Sequence, residues 1–131
     1  MAVVFVIHAP EDSQFFNQIT SHARSAKLPI EFDHMQLKLA SVPNWKEQCR
    51  NRIYRSSGAI VLLSKHTKQE GVGWELQCAQ AFNTPILGVH TTAQDLAHVP
   101  DGLADAAVIE WSWPRIASFI QSLTKGSSAY A

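Results

Sequence analysis

The chain has 131 residues, of which 46% are hydrophobic, a length and composition that fit one globular domain and exclude a disordered chain. Eleven basic side chains balance eleven acidic ones, which leaves no electrostatic footprint for general nucleic-acid or anionic-membrane binding. The two cysteines, Cys49 and Cys78, form no CxxC pair, so neither a disulfide framework nor a zinc knuckle is implied and a reducing cytoplasm is the expected location.

The continuous apolar run Val3–Ile7 predicts a first strand buried on both faces. With neither a basic leader nor a small-residue cleavage site before it, it does not read as a signal peptide. Pro10-Glu11-Asp12 opens a helix, since proline suits the first turn and carboxylates suit its positive dipole end; Phe15, Phe16, Ile19, Ala23 and Ala26 give that helix an apolar stripe. Leu28–Phe32 predicts a short second strand, followed by a polar connection from Asp33 to Val42. A helix from Pro43 carries Trp45, Cys49 and Ile53 at steps of four and stops at Ser56-Ser57-Gly58. Its basic residues Lys46, Arg50, Arg52 and Arg55 make a solvated face or, for one of them, a phosphate contact.

Ala59–Leu63 is the third strand, Lys65–Gly73 a polar loop with two glycines, Trp74–Phe82 a helix stopped by Asn83-Thr84-Pro85, and Ile86–Val89 the fourth strand. Residues 91–107 fit a loop with one helical turn. Ala107–Trp111 is the fifth strand, and Ser112 caps a last helix with Pro114 in its first turn and Ile116, Ile120 and Leu123 facing inward. A flexible tail is expected over 126–131, leaving a single domain over 1–125. No apolar run reaches the ~18 residues of a membrane span.

Strands alternating with helices at this spacing imply an α/β fold: a parallel five-stranded, flavodoxin-like sheet of order 2-1-3-4-5 with helices on both faces. Ligands of such sheets bind outside the carboxyl ends of the strands, so the residues just past each strand are the ones to examine. His8, His34, His66 and His90 each fall at or beyond the end of a different strand. Without HxH, HxxxH or paired-carboxylate spacing they do not make a metal site; they line a pocket or simply occupy loops. No GxGxxG, GxxxxGK[ST] or GxSxG motif occurs. Glu75 is expected at the start of the helix that follows the third strand, next to Trp74, where a carboxylate on the surface facing the helix dipole is the ordinary explanation.

Three stretches together resemble the TIR family, in particular the standalone TIR-like proteins of bacterial Thoeris antiphage systems. These are Val4-Phe5-Val6-Ile7-His8-Ala9-Pro10-Glu11-Asp12, then Ser57-Gly58-Ala59-Ile60-Val61-Leu62-Leu63-Ser64, then Trp74-Glu75-Leu76 with Ala79 and Thr84-Pro85-Ile86-Leu87-Gly88-Val89-His90. The resemblance spans nearly the whole chain in the right order. The chain departs from the family pattern at Gly71, where enzymatic relatives often carry tryptophan, and at Ala9, where many carry serine.

The resemblance implies cleavage of the nicotinamide–ribose bond of NAD⁺, which is the substrate and not a resident cofactor. Glu75 would be the catalytic carboxylate, stabilising positive charge that develops on the ribose. His8, Ala9, Asp12, Trp45, Arg50, Ser64, His66 and Trp74 would bind the substrate, an aromatic by stacking on a base and Arg50 or the turn after Ile7 by holding pyrophosphate. It also implies a cyclic ADP-ribose-derived signal, a separate effector that senses it, and self-association. Two other readings remain open at the level of sequence: a non-catalytic TIR-type scaffold, and a nucleoside 2-deoxyribosyltransferase-like enzyme with a glutamate nucleophile.

Overall fold

The five predicted apolar runs pair side by side, every pairing parallel. In the computed structural model, which describes residues 2–34, 44–67, 70–91, 103 and 107–129, the strands are β1 (Ala2–Ile7), β2 (Ile30–Asp33), β3 (Gly58–Leu63), β4 (Ile86–His90) and β5 (Ala107–Glu110). The helices are α1 (Ser13–Ser25), entered through a 3-10 turn at Pro10–Asp12, α2 (Trp45–Tyr54), α3 (Glu70–Ala81) and α4 (Trp113–Ala129). The strand order is β2-β1-β3-β4-β5, the flavodoxin-like order expected from the sequence.

Register and the two-residue side-chain period sort the sheet into two faces. One face carries Phe5, Ile7, Ala59, Val61 and Leu63 into a cluster with Cys49 and Ile53 of α2 and Val72, Leu76, Cys78 and Ala79 of α3. The other carries Val4, Val6, Ile60, Leu62, Leu87 and Val89 into a cluster with Phe16 and Ile19 of α1 and Ile116 and Ile120 of α4. On that second face Gly58 admits α4 closely, since a Cβ there would lie 2.5 Å from Leu123 Cδ1.

Helix ends follow from local chemistry. After α3, Asn83 takes a left-handed conformation (φ 55°), its N–H bonds to Gln80 O at 3.1 Å and the Thr84 N–H reaches Ala79 O at 2.9 Å. This pair of bonds satisfies carbonyls the helix leaves open, and Pro85 cannot continue the turn. Lys27 (φ 55°) ends α1 in the same way, with Lys27 N–H on Arg24 O and Leu28 N–H on Ala23 O, each at 3.1 Å. Ser112 caps α4 through its Oγ, which accepts from Arg115 N at 3.4 Å.

One expectation needs correction. The predicted loop over 65–73 is helical from Glu70, so Glu75 sits in the second turn of α3 and not at its start. Gly71 and Gly73 read as breakers, but Val72 and Leu76, one turn apart, are 0% and 2% exposed. Burial of two such side chains, worth roughly 1.5–3 kcal/mol each, outweighs a helix cost of about 1 kcal/mol per glycine. α4 runs to Ala129, into the stretch expected to form the tail; a helix already nucleated by its buried stripe extends at little cost per residue. Most of the Asp33–Val42 connection and of the ambiguous stretch over 91–107 lies outside the described residues; Leu103, within the latter, is buried in the α2/α3-side cluster. No helix among the described residues is long and apolar enough to cross a membrane.

Candidate functional site

With β1 between β2 and β3, the connections leaving β1 and β3 depart toward opposite faces, and the crevice between them is where ligands of this architecture bind. Residues leaving those two strands are tied together. Asp12, buried just beyond the turn after β1, accepts a 2.5 Å hydrogen bond from Ser64 Oγ beyond β3. Ser64 Oγ also accepts from the His66 N–H at 3.0 Å. Thr67 Oγ1 closes the turn, accepting from Ser64 N–H at 2.7 Å and donating to Ser64 O at 2.5 Å. His66 Nδ1 stands 3.6 Å from Glu11 Oε2, a partly exposed pair that adds little beyond orientation. Of the sequence-predicted substrate contacts, Asp12, Ser64 and His66 therefore form one network. It welds two turns together, and a buried carboxylate satisfied by a hydroxyl is rigid.

His8 continues β1 and is 1% exposed. Its Nδ1 lies 2.7 Å from the Ala9 carbonyl oxygen, which can only accept, so Nδ1 carries a proton. In the neutral ring Nε2 then accepts, and the bonding pattern assigns the proton of the 2.8 Å contact to His34 Nδ1. The His34 ring stacks on Phe16 of α1, with centroids 3.7 Å apart and planes 10° from parallel. Its backbone is clamped as well: Asp33 Oδ1 accepts from His34 N–H at 2.9 Å, and Arg52 Nη1 donates to His34 O at 3.2 Å and to Asp33 Oδ1 at 3.4 Å. Two of the four histidines predicted at strand ends are thus directly bonded. His90, at the end of β4 between Leu63 and Glu110, is 7% exposed and its Nδ1 has no hydrogen-bond partner. Among the described residues no three metal-ligating side chains converge.

Glu75 is the fully buried carboxylate of the α2/α3 side, at 0% exposure. This corrects the expectation of a surface carboxylate at a helix start. Its placement follows from the α3 stripe: Val72, Leu76 and Ala79 face the sheet, and Glu75, one turn before Ala79, is carried inward with them. Cys49 of α2 approaches it across the helix pair, Sγ to Glu75 Oε1 at 3.5 Å. Cys78 lies one turn along α3, 5% exposed, and burial pushes its thiol above the ordinary value of 9.0; Arg50 opposes that rise and the charge of Glu75 adds to it. A carboxylate is costly to desolvate, so a glutamate at this buried position departs from ordinary core packing.

Trp45 and Trp74 are half-buried against the same cluster. The Trp74 indole N–H donates to Lys46 O at 3.2 Å, and Lys46 Nζ lies 5.1 Å from the Trp74 ring centroid and 5.8 Å from that of Trp45. The two indoles thereby belong to one patch where α2 meets α3, with exposed Arg50 on the same helix as Trp45. Ala9 is fully buried in the cluster below His8.

Beyond a cysteine at the middle of an apolar four-step stripe, nothing in the sequence marks Cys49 as a contact of Glu75, or Thr67 and Glu11 as parts of the turn network. Two cavities flank edge strand β2: one of about 580 Å³ bordered by Phe16, Arg24, Leu28 and Phe32, and one of about 360 Å³ bordered by Val3, Asp33, Arg52 and Arg55. Neither is lined by Glu75, so size does not make them the candidate active site.

No protein-family model matches the chain, and no curated protein matches it. Among solved structures the chain is similar to a 3-dehydroquinate dehydratase-like protein from Bifidobacterium longum, with 14% identity, a TM-score of 0.49, and 100% of this chain and 99% of that chain covered. A likeness at that distance carries no argument about activity.

Proposed function

We propose that this chain is a TIR-like enzyme of bacterial antiphage defence that cleaves NAD⁺ at the nicotinamide–ribose bond and makes a cyclic ADP-ribose-derived signal for a separate effector. The observation that carries the reading is Glu75: a fully buried carboxylate on α3, held between two helices in a sheet whose ligand crevice lies at the ends of β1 and β3. Folding alone does not favour such a group, since an apolar residue of similar size would pack there at no desolvation cost.

In this mechanism nicotinamide departs as the ribose gains oxocarbenium character. The carboxylate of Glu75 accepts hydrogen bonds from the ribose hydroxyls and stabilises the developing positive charge, an effect strengthened by the low dielectric of its surroundings. The Asp12–Ser64 and His8–His34 pairs hold the rim in one shape, and the Trp45/Trp74 patch offers a stacking surface for a base. Glu75 is fully covered within a single chain, so turnover includes an opening step, which the proposal couples to self-association in the cytoplasm.

Mass spectrometry of nucleotides formed from NAD⁺ by wild type and Glu75→Gln, over a range of protein concentrations, tests this. Nicotinamide and an ADP-ribose-derived product are expected from wild type, with specific activity rising with oligomer fraction, and neither from the variant. Equal product from both proteins contradicts the assignment of Glu75. Release of a free base from a deoxynucleoside instead, or no turnover even with infected-cell extract, contradicts the reaction.

A further inference from the structure

The buried residues of α2 are Cys49 and Ile53, and packing alone would accept alanine or valine at the first of them. Cysteine differs from those by one weak donor on an otherwise apolar side chain. That donor meets a carboxylate: Cys49 Sγ is 3.5 Å from Glu75 Oε1, both side chains are 0% exposed, and the contact joins the two helices that cover this half of the sheet.

We infer that Cys49 is a positioning residue for Glu75, its S–H holding Oε1 so that the carboxylate meets the substrate in one orientation. The inference rests on the catalytic reading of Glu75 given above. An ammonium in this place would also fix the carboxylate, but it would draw on the negative charge that must stabilise the ribose cation. A thiol fixes direction while withdrawing little charge, and it costs little to bury. No bond to sulfur forms or breaks in this role. Cys78 stands near enough for the charge of Glu75 to act on it, and its raised affinity for its proton keeps a second negative charge away from the carboxylate.

The direct test reads the S–H stretch by infrared spectroscopy, in a spectral window clear of other protein bands. The Cys49 band is identified by its loss in Cys49→Ala. In Glu75→Gln it is expected to move to higher frequency, because a carboxylate is the stronger acceptor; a band at the same frequency in both proteins overturns the contact. Kinetics give the second arm. Cys49→Ala is expected to lower kcat about 10-fold with KM within twofold, the scale of one lost orienting bond, and Cys49→Ser to recover most of that loss. Thermal midpoints separate folding from positioning: equal losses of kcat in the alanine and serine variants, or full activity in the alanine variant, overturn the inference. If wild type releases no nicotinamide, the NAD⁺ reading fails, and the spectral arm still decides the contact by itself.

Discussion

On the α1/α4 face of the sheet the buried cluster, from Val4, Val6, Ile60 and Leu62 to Ile116 and Ile120, is hydrocarbon among the described residues, with imidazoles at its rim where His8 and His34 meet Phe16 and His22 stacks on Trp113. On the α2/α3 face the same sheet buries two cysteines, and Glu75 stands among the residues of that cluster. Both faces exclude water from the strands, but among the described residues the α2/α3 face does so while holding a carboxylate and two thiols. The difference suggests a division of labour. One face supplies the stability that allows the other to carry groups a folding optimum would leave out, a pattern expected of functional sites.

The sharpest way to break this comparison is to damage the hydrocarbon face. Ile120→Ala, at a side chain 1% exposed, is expected to lower stability by about 2–5 kcal/mol in denaturant titration. Turnover per folded molecule should stay unchanged; a loss of turnover that outruns the loss of folded protein would show that the two faces are not separable.

A smaller effect belongs to Cys78. Its folded-state affinity for a proton is raised above the ordinary value of 9.0, so in the unfolded chain this thiol ionises first as pH rises. Its contribution to stability is therefore complete below pH 9.0 and is lost as pH climbs from there through the folded-state value. Cys78→Ala should flatten the alkaline fall in thermal midpoint. A slope identical in wild type and variant would place the sensitive group elsewhere.

The smallest expected effect lies at the β2 edge. The Arg52–Asp33 pair spans 3.4 Å with side chains 39% and 33% exposed, and solvent screening limits such a pair to about 1 kcal/mol or less. Arg52→Ala should shift the midpoint only slightly, and less at high salt. A large, salt-independent loss would mean that the second bond of Arg52, to the His34 carbonyl, governs that corner of the rim.

The fold was legible because buried parallel strands appear as unbroken apolar runs, and Val3–Ile7 and Ala59–Leu63 need little else to be read. Helix ends at Asn83 and Ser112 were legible for a similar local reason, since their capping chemistry is written in adjacent residues. The start of α3 was not. Gly71 and Gly73 argue locally for a loop, and only tertiary burial of Val72 and Leu76 shows otherwise. Glu75 could be singled out by resemblance, but its burial could not, because that depends on α2 lying across α3. The Cys49 contact shares this dependence. So does the Ser64–Asp12 bond, which joins residues 52 positions apart. The histidine row was visible as four strand-end residues, whereas which two of them would bond was set by sheet register and by the Phe16 stack.

The most direct test of the account is to measure nicotinamide release and thermal midpoint on the same preparation of Glu75→Gln. Because glutamine keeps the size and one acceptor oxygen of the side chain, the midpoint should stay within a few degrees of wild type, while release falls ~10²-fold or more. A variant that unfolds well below wild type, or one that keeps wild-type release, would contradict the claim that this carboxylate is buried for chemistry and not for folding.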